Sequence, residues 1–195
     1  MNKLMGFYEL KDSGLPAVPW KIFDNKSVMD DKHLWTVRTA VDKGTDLNLP
    51  RIVGKTAQEA FKSAMDLYEH YKNKGLVVYY PYFIADKSGT MQIASEELII
   101  EAVDEDLWNL VTYNNKDVTI IKNSSGTIID GNESFLTESE INELYSYARK
   151  VKLIFKDYII QGKTLLLEWS YAYDTDINRQ PIGDRYLVFY EIREI

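Results

Sequence analysis

TLLLEWSYAYD (residues 164–174) and YLVFYEIREI (residues 186–195) close a chain of 195 residues, and each apolar run carries one unexpected acid. Aromatic and branched side chains at this density read as strands, because they fit a pleated, half-buried surface. Glu168 and Glu191 sit inside these runs. A carboxylate in such a place is costly unless a cation or hydrogen bonds satisfy it, so two acids on neighbouring strands suggest one shared cation. Alternation along a strand puts Leu166, Glu168, Ser170 and Ala172 on one face, and Leu187, Phe189, Glu191 and Arg193 on one face of the other. If the two faces coincide, two carboxylates and a guanidinium converge. Mg2+ favours a few carboxylates with phosphate oxygens, and the Arg fork matches phosphate, which makes Glu168 and Glu191 the candidate metal ligands. The alternative is an ion pair of Arg193 with one acid beside an exposed second acid.

Three motif-like stretches fail on spacing. Asp174-Thr175-Asp176-Ile177-Asn178 imitates the alternating oxygens of a calcium loop, but Arg179 and Arg185 stand where that loop needs Gly and an acid. A solvated hairpin loop is the expectation. Gly54-Lys55-Thr56 and Gly162-Lys163-Thr164 imitate a phosphate loop, yet the Gly required five residues earlier is Leu49 in one case and Asp157 in the other.

Upstream, Thr137 with Glu140 forms a capping-box signature that opens a helix with Ile141, Leu144, Tyr145, Ala148, Val151 and Phe155 as its inward stripe. Thr56 with Glu59 opens another, carrying Ala60, Phe61, Ala64, Met65, Tyr68 and Tyr71 until Gly75 stops it. Residues 33–40 (HLWTVRTA) alternate as a strand that places Arg38 among buried neighbours. Residues 76–84 (LVVYYPYFI) read as one buried strand with Pro81 marking its end or an edge. Strands over 97–103, 107–113, 117–122 and 126–129 fill the middle, residues 41–55 read as a loop, and residues 5–12 as a short helix ended by Ser13-Gly14. The fold class expected is α+β, with mixed or antiparallel sheets flanked by two main helices.

Composition excludes several functions. Hydrophobic residues make up 45% and charged ones 27%, ordinary for a globular chain, and a net charge of −7 argues against nucleic acid as a partner. With no Cys and only His33 and His70, thiol chemistry, disulfides and His-rich metal sites are excluded. His33 and His70 read as a strand-edge and a helix-surface residue. No run of about 18 apolar residues occurs, so neither a membrane span nor a signal peptide is expected, and a cytoplasmic location is the default.

Lys3 followed by Gly14-Leu15-Pro16-Ala17-Val18-Pro19, then Val37-Arg38-Thr39-Ala40, residues 77–90 (VVYYPYFIADKSGT), residues 99–103 with 107–112, the late helix, LLLEWSYAYD and LVFYEIREI follow one another in a particular order. In that order they resemble the N-terminal ATP-grasp, nucleotide-binding domain of phosphoenolpyruvate synthase and pyruvate phosphate dikinase, nearly end to end. The resemblance implies an ATP-grasp-like chain of two lobes, residues 1–75 and 76–195, with ATP and Mg2+ as cofactors. It implies that Lys3 and Arg38 contact the phosphates, that Arg193 lies near the terminal phosphate, and that the strand carrying Tyr80 and Tyr82 borders the adenine. Arg38 and Arg193 would be the catalytic cations, while Glu168 and Glu191 would hold Mg2+. The sequence departs from the family at Glu191, where Gln is usual, at Thr39-Ala40, which replace paired serines, and in a shortened segment between Pro19 and Trp35. It also ends before the phosphohistidine domain and the pyruvate-binding barrel. The expected function is phosphoryl transfer from Mg·ATP to an acceptor, a small molecule or a His on a partner protein. Its rival is a non-catalytic nucleotide-binding or regulatory subunit; a ligand-free structural domain would require Glu168 and Glu191 to face bulk solvent.

Overall fold

The computed structural model describes residues 1–43, 49–113 and 115–195. In chain order the elements are α1 (Lys3–Asp12), β1 (Lys21–Ile22), β2 (Trp35–Val41), β3 (Arg51–Lys55), α2 (Ala57–Tyr71), β4 (Gly75–Pro81), β5 (Phe83–Ile93) and β6 (Glu97–Asp104). There follow α3 (Trp108–Tyr113), β7 (Val118–Asn123), β8 (Gly126–Gly131), α4 (Glu138–Ile154), α5 (Lys156–Ile160), β9 (Leu165–Thr175) and β10 (Pro181–Glu194). The strands make a small sheet ordered β1-β4-β2-β3 and a large one ordered β10-β9-β5-β6-β7-β8. All strand pairs in both sheets are antiparallel.

Both capping boxes form. Thr56 and Thr137 accept from the backbone of Glu59 and Glu140, whose carboxylates reach back to the cap. α2 then lays Ala60 and Ala64 against Phe23, Trp35, Val37 and Tyr79 of the small sheet. α4 lays Leu144, Ala148 and Val151 against Met91, Ile100, Leu167 and Phe189 of the large one. A third cluster, with Phe7, Trp20, Val78, Tyr80, Val188 and Tyr190, joins the two sheets to one another and to α1. The fold is thus two sheet–helix layers that share a core at one end and leave a cleft between them. Among the described residues no helix is long and apolar enough to cross a membrane.

The expected single strand over residues 76–84 is two strands in different sheets. β4 ends at Pro81, the Tyr82 amide donates to the Leu34 carbonyl at 2.8 Å, and β5 begins at Phe83 in the large sheet. The apolar run is continuous because both strands are buried, so hydropathy alone carries no sign of the break. The chain changes sheets at Tyr82.

Two other expectations are corrected. Residues 51–55 are not loop but the mostly exposed edge strand β3, whose apolar signal is confined to Ile52 and Val53 between Pro50 and Gly54. Gly44 of that expected loop lies outside the described residues. Residues 108–113 are not strand but α3, begun by Asp106, whose carboxylate accepts from the Trp108 amide at 2.8 Å. Their aromatic and branched composition suits either structure; the Asp cap decides for helix. β5 also runs on through Ser88-Gly89-Thr90, a turn-like string in the sequence. Gly89 is required there because an added Cβ would lie 2.2 Å from the Glu101 carbonyl oxygen and 2.4 Å from the Trp169 ring.

Candidate functional site

The cleft is set by an irregularity in β10. Phe189 pairs with Trp169, but Glu191 pairs with Glu168, so Tyr190 is a bulge residue. Regular pairing would turn Glu191 toward Leu167 and the apolar core; the extra residue turns it to the cleft instead. The bulge corrects the expected face of Leu187, Phe189, Glu191 and Arg193. Leu187 and Phe189 belong to the α4-side core, and only Glu191 and Arg193 line the cleft. Bulges are found beside active sites because they re-aim a side chain in this way.

Glu191 is 5% exposed and gathers cations from three elements. Arg38 of β2 donates through Nη2 to Oε2 at 2.7 Å, Lys3 of α1 reaches the same oxygen at 3.0 Å, and Arg193 Nε lies 3.8 Å from Oε1. Burial alone would raise the Glu191 pKa, but Arg38 and Lys3 outweigh it and hold the carboxyl below its ordinary value. Lys3 is lowered by burial and then by the charge of Arg38, with Glu191 opposing both. Arg38, 6% exposed, also donates to the Tyr190 carbonyl at 3.2 Å and sits over the rings of Phe7 and Tyr190.

Glu168 differs. Directly paired residues share a face with Cβ atoms about 4.5–5.5 Å apart, yet among the described residues Glu168 makes no hydrogen bond or ion pair. Burial first and the Glu191 charge second raise its pKa from 4.5 to about 7, against the pull of Arg38, Lys3 and Arg193. A cleft carboxylate in that condition would gain from a cation, so Glu168 fits a metal ligand. Glu191 fits as its neighbour, with Oε2 turned to Lys3 and Arg38. The described residues hold no cluster of three or more acids or His, and two carboxylates suit an ion that draws its other oxygens from phosphate and water.

A pH prediction follows. The Glu168 carboxyl binds its proton more tightly folded, at about 7, than unfolded, at 4.5, so its contribution favours folding at low pH and is lost as pH rises through 7. Glu168→Gln, which stays neutral, is expected to raise the melting midpoint at pH 8 and to leave it close to wild type at pH 5. Equal shifts at both pH values would contradict the raised pKa.

The cleft has a volume of about 810 Å3, and Lys3, Arg38, Glu168, Glu191 and Arg193 all line it. So do Tyr80 and Tyr82, at its small-sheet end. Tyr80 is buried against Arg38, and burial raises the pKa of both phenols. Residues from the two ends of the chain therefore meet in one place.

His33 pairs with Asp30 at 2.7 Å and His70 lies 3.0 Å from Lys74, both on exposed side chains, and neither lines the cleft. Lys163 pairs with Glu194, and Asp176 accepts from the amides of Asn178 and Gln180 as an ordinary turn residue. Sequence reading missed Arg51, Trp108, Ser88 and Asp106, which also line the cleft. Arg51 and Trp108 lay in the segments assigned to the wrong structure.

The arrangement is the ATP-grasp fold: two sheets facing a cleft, shared with ligases of that class. No protein-family model matches the chain, and no curated protein matches it. Among solved structures, the ADP complex of N5-carboxyaminoimidazole ribonucleotide synthetase superposes with a TM-score of 0.59 at 11% identity, covering 98% of this chain and 45% of that one. D-alanine–D-alanine ligase from Helicobacter pylori gives 0.53 at 11% identity, covering 98% and 51%. The dinucleotide-forming acetyl-coenzyme A synthetase 1 of Ca. Korarchaeum cryptofilum, in complex with coenzyme A, Ca-AMPCP and HgCl+, gives 0.53 at 8% identity, covering 100% and 92%. At such identities the likeness is one of fold. The chain spans less than half the length of the synthetases and the amino acid ligase that head the comparison.

Proposed function

We propose that the chain binds a magnesium–nucleoside triphosphate, ATP by its resemblance, in the cleft between its sheets and passes the terminal phosphoryl group to an acceptor. The observation that carries this reading is the convergence of Lys3, Arg38, Glu168, Glu191 and Arg193, contributed by α1, β2, β9 and β10, in one 810 Å3 cleft. Lys3, Arg38 and Arg193 offer three cationic side chains to a polyphosphate. The motif resemblance to the phosphoenolpyruvate synthase nucleotide-binding domain supports the same residues in the same roles. Solved structures of this fold carry ADP in two cases and Ca-AMPCP in another.

In this reading Lys3 and Arg38 turn from Glu191 to phosphate oxygens, and Arg193 faces the terminal phosphate. Tyr80 and Tyr82 border the base. Glu168 and Glu191 would hold Mg2+, which supplies neutralisation of charge on the phosphates. The acceptor's nucleophile, on a small molecule or a His of a partner protein, forms a bond to the terminal phosphorus while the bond to the bridging oxygen breaks. ADP leaves, and the nucleophile's proton passes to solvent. Such a step needs positioning and charge stabilisation more than covalent chemistry, which is what these side chains offer.

Equilibrium titration with ATP, with and without Mg2+, tests this on wild type and Glu168→Ala. Wild type is expected to bind more tightly with Mg2+, and Glu168→Ala to lose at least tenfold together with most of the Mg2+ dependence. Absent binding in both proteins would end the reading. A second reading, a nucleotide-binding subunit without turnover, is favoured by Glu191 itself, since a Glu paired with Lys3 and Arg38 stands where Gln is usual in the family. Tight binding without phosphate transfer would select it.

A further inference from the structure

Arg51 stands directly opposite Arg38 in the β2–β3 register, so the two guanidinium-bearing side chains leave the small sheet on the same, cleft-lining face. Like charges directly opposite on neighbouring strands are unfavourable. Arg38 is relieved by Glu191. Arg51 has no such relief: among the described residues its guanidinium makes no hydrogen bond and no ion pair. Its guanidinium instead lies 4.7 Å from the centroid of the Trp108 indole, across the cleft mouth on α3. Trp108 is itself unusual. It is 44% exposed, whereas Trp20, Trp35 and Trp169 are at most 6% exposed. A guanidinium over an exposed ring is held weakly, and its fork matches phosphate oxygens better than any contact it has here.

We infer that Arg51 is a second phosphate-binding arginine, parked on Trp108 until a polyphosphate enters the cleft. The inference rests on the nucleotide reading above and extends it to a residue which that reading does not use. Arg38 and Arg51 together would straddle the polyphosphate from one sheet, which gives a reason for the repulsive register to persist. Trp108 would serve as the resting place of Arg51 and as a reporter of its position, since the other three indoles are enclosed.

Two probes keep the inference separate from the reading it rests on: Mg·ATP and inorganic tripolyphosphate. Binding would be measured calorimetrically, with tryptophan emission followed in parallel, on wild type, Arg51→Ala, Arg51→Gln and Trp108→Phe. Both Arg51 variants are expected to bind either probe about tenfold more weakly. Wild type should change its emission on binding, and Trp108→Phe should bind without that change. Because Arg51 is exposed, both Arg51 variants are expected to melt near wild type. Wild-type binding of tripolyphosphate alone, weakened in the Arg51 variants, would uphold the phosphate role while overturning the nucleotide reading. Wild-type affinity in both Arg51 variants, or an unaltered emission change in Trp108→Phe, would overturn the inference, as would failure of wild type to bind either probe.

Discussion

Replacing Glu191 with Ala is expected to destabilise the protein by about 3–5 kcal/mol, the range for removing one partner of a buried ion pair. Glu191 is 5% exposed, and its Oε2 is the oxygen that Arg38 meets at 2.7 Å and Lys3 at 3.0 Å. Without it, Arg38 keeps, among the described residues, the Tyr190 carbonyl, the Tyr80 side chain and the faces of Phe7 and Tyr190. The loss would arise less from a missing attraction than from cations left in a poorly solvated place. Urea denaturation reads it directly, and the melting midpoint should fall by roughly 10 °C. A loss below about 1 kcal/mol would mean that water already solvates these cations and that the cleft is far more open than its geometry shows.

The second large effect runs against helix propensity. Gly6 lies in α1, where Ala is ordinarily favoured by about 1 kcal/mol. Here an added Cβ would sit 1.9 Å from the Ile192 carbonyl oxygen, so α1 would have to lift from β10. The steric term wins, with a net loss expected at about 1–3 kcal/mol. The displacement also carries Lys3 away from Glu191, because Lys3 is the first residue of that helix. Gly6→Ala should therefore lower both the denaturation midpoint and the affinity for Mg·ATP. A variant as stable as wild type would show that α1 does not dock through Gly6.

The closing strands illustrate how much was legible in the sequence. Their apolar density identified both, and the two embedded acids pointed to the cleft face. The bulge at Tyr190 was not legible, because a single inserted residue leaves the hydrophobic pattern intact while exchanging the faces beyond it. Thr56 and Thr137 announced their helices because a capping box is a local chemical match. β3 and α3 escaped because Ile52 and Val53 alone, between Pro50 and Gly54, make too short an apolar signal and a short Asp-capped helix can be built from strand-like residues. The same two elements bring Arg51 and Trp108 to the cleft, so the local misreading hid two of its lining residues. Lys3 entered the site through family resemblance alone, whereas the alternation of residues 33–40 marked Arg38 as a cation among buried neighbours and the resemblance gave it a role.

The structure also gives physical content to the pairing of the chain's two ends. α1 contacts β10 through Gly6, Lys3 reaches Glu191, and the Met1 amino group pairs with Glu194 at 2.9 Å. These contacts fix the floor of the cleft, while the small sheet contributes Arg38 and Arg51 as its roof. Tyr82, where the chain changes sheets, lies at the junction and accepts at its carbonyl from the Thr175 hydroxyl at 3.4 Å.

The central claim is that the five converging side chains make a metal–polyphosphate site. A crystal structure with a non-hydrolysable ATP analogue and Mn2+ in place of Mg2+, read by anomalous scattering, tests it most directly. The account predicts an anomalous peak between the Glu168 and Glu191 carboxylates, with Lys3, Arg38 and Arg193 on the phosphates. A peak outside this cleft, or an analogue bound with its phosphates away from Glu168, would contradict it.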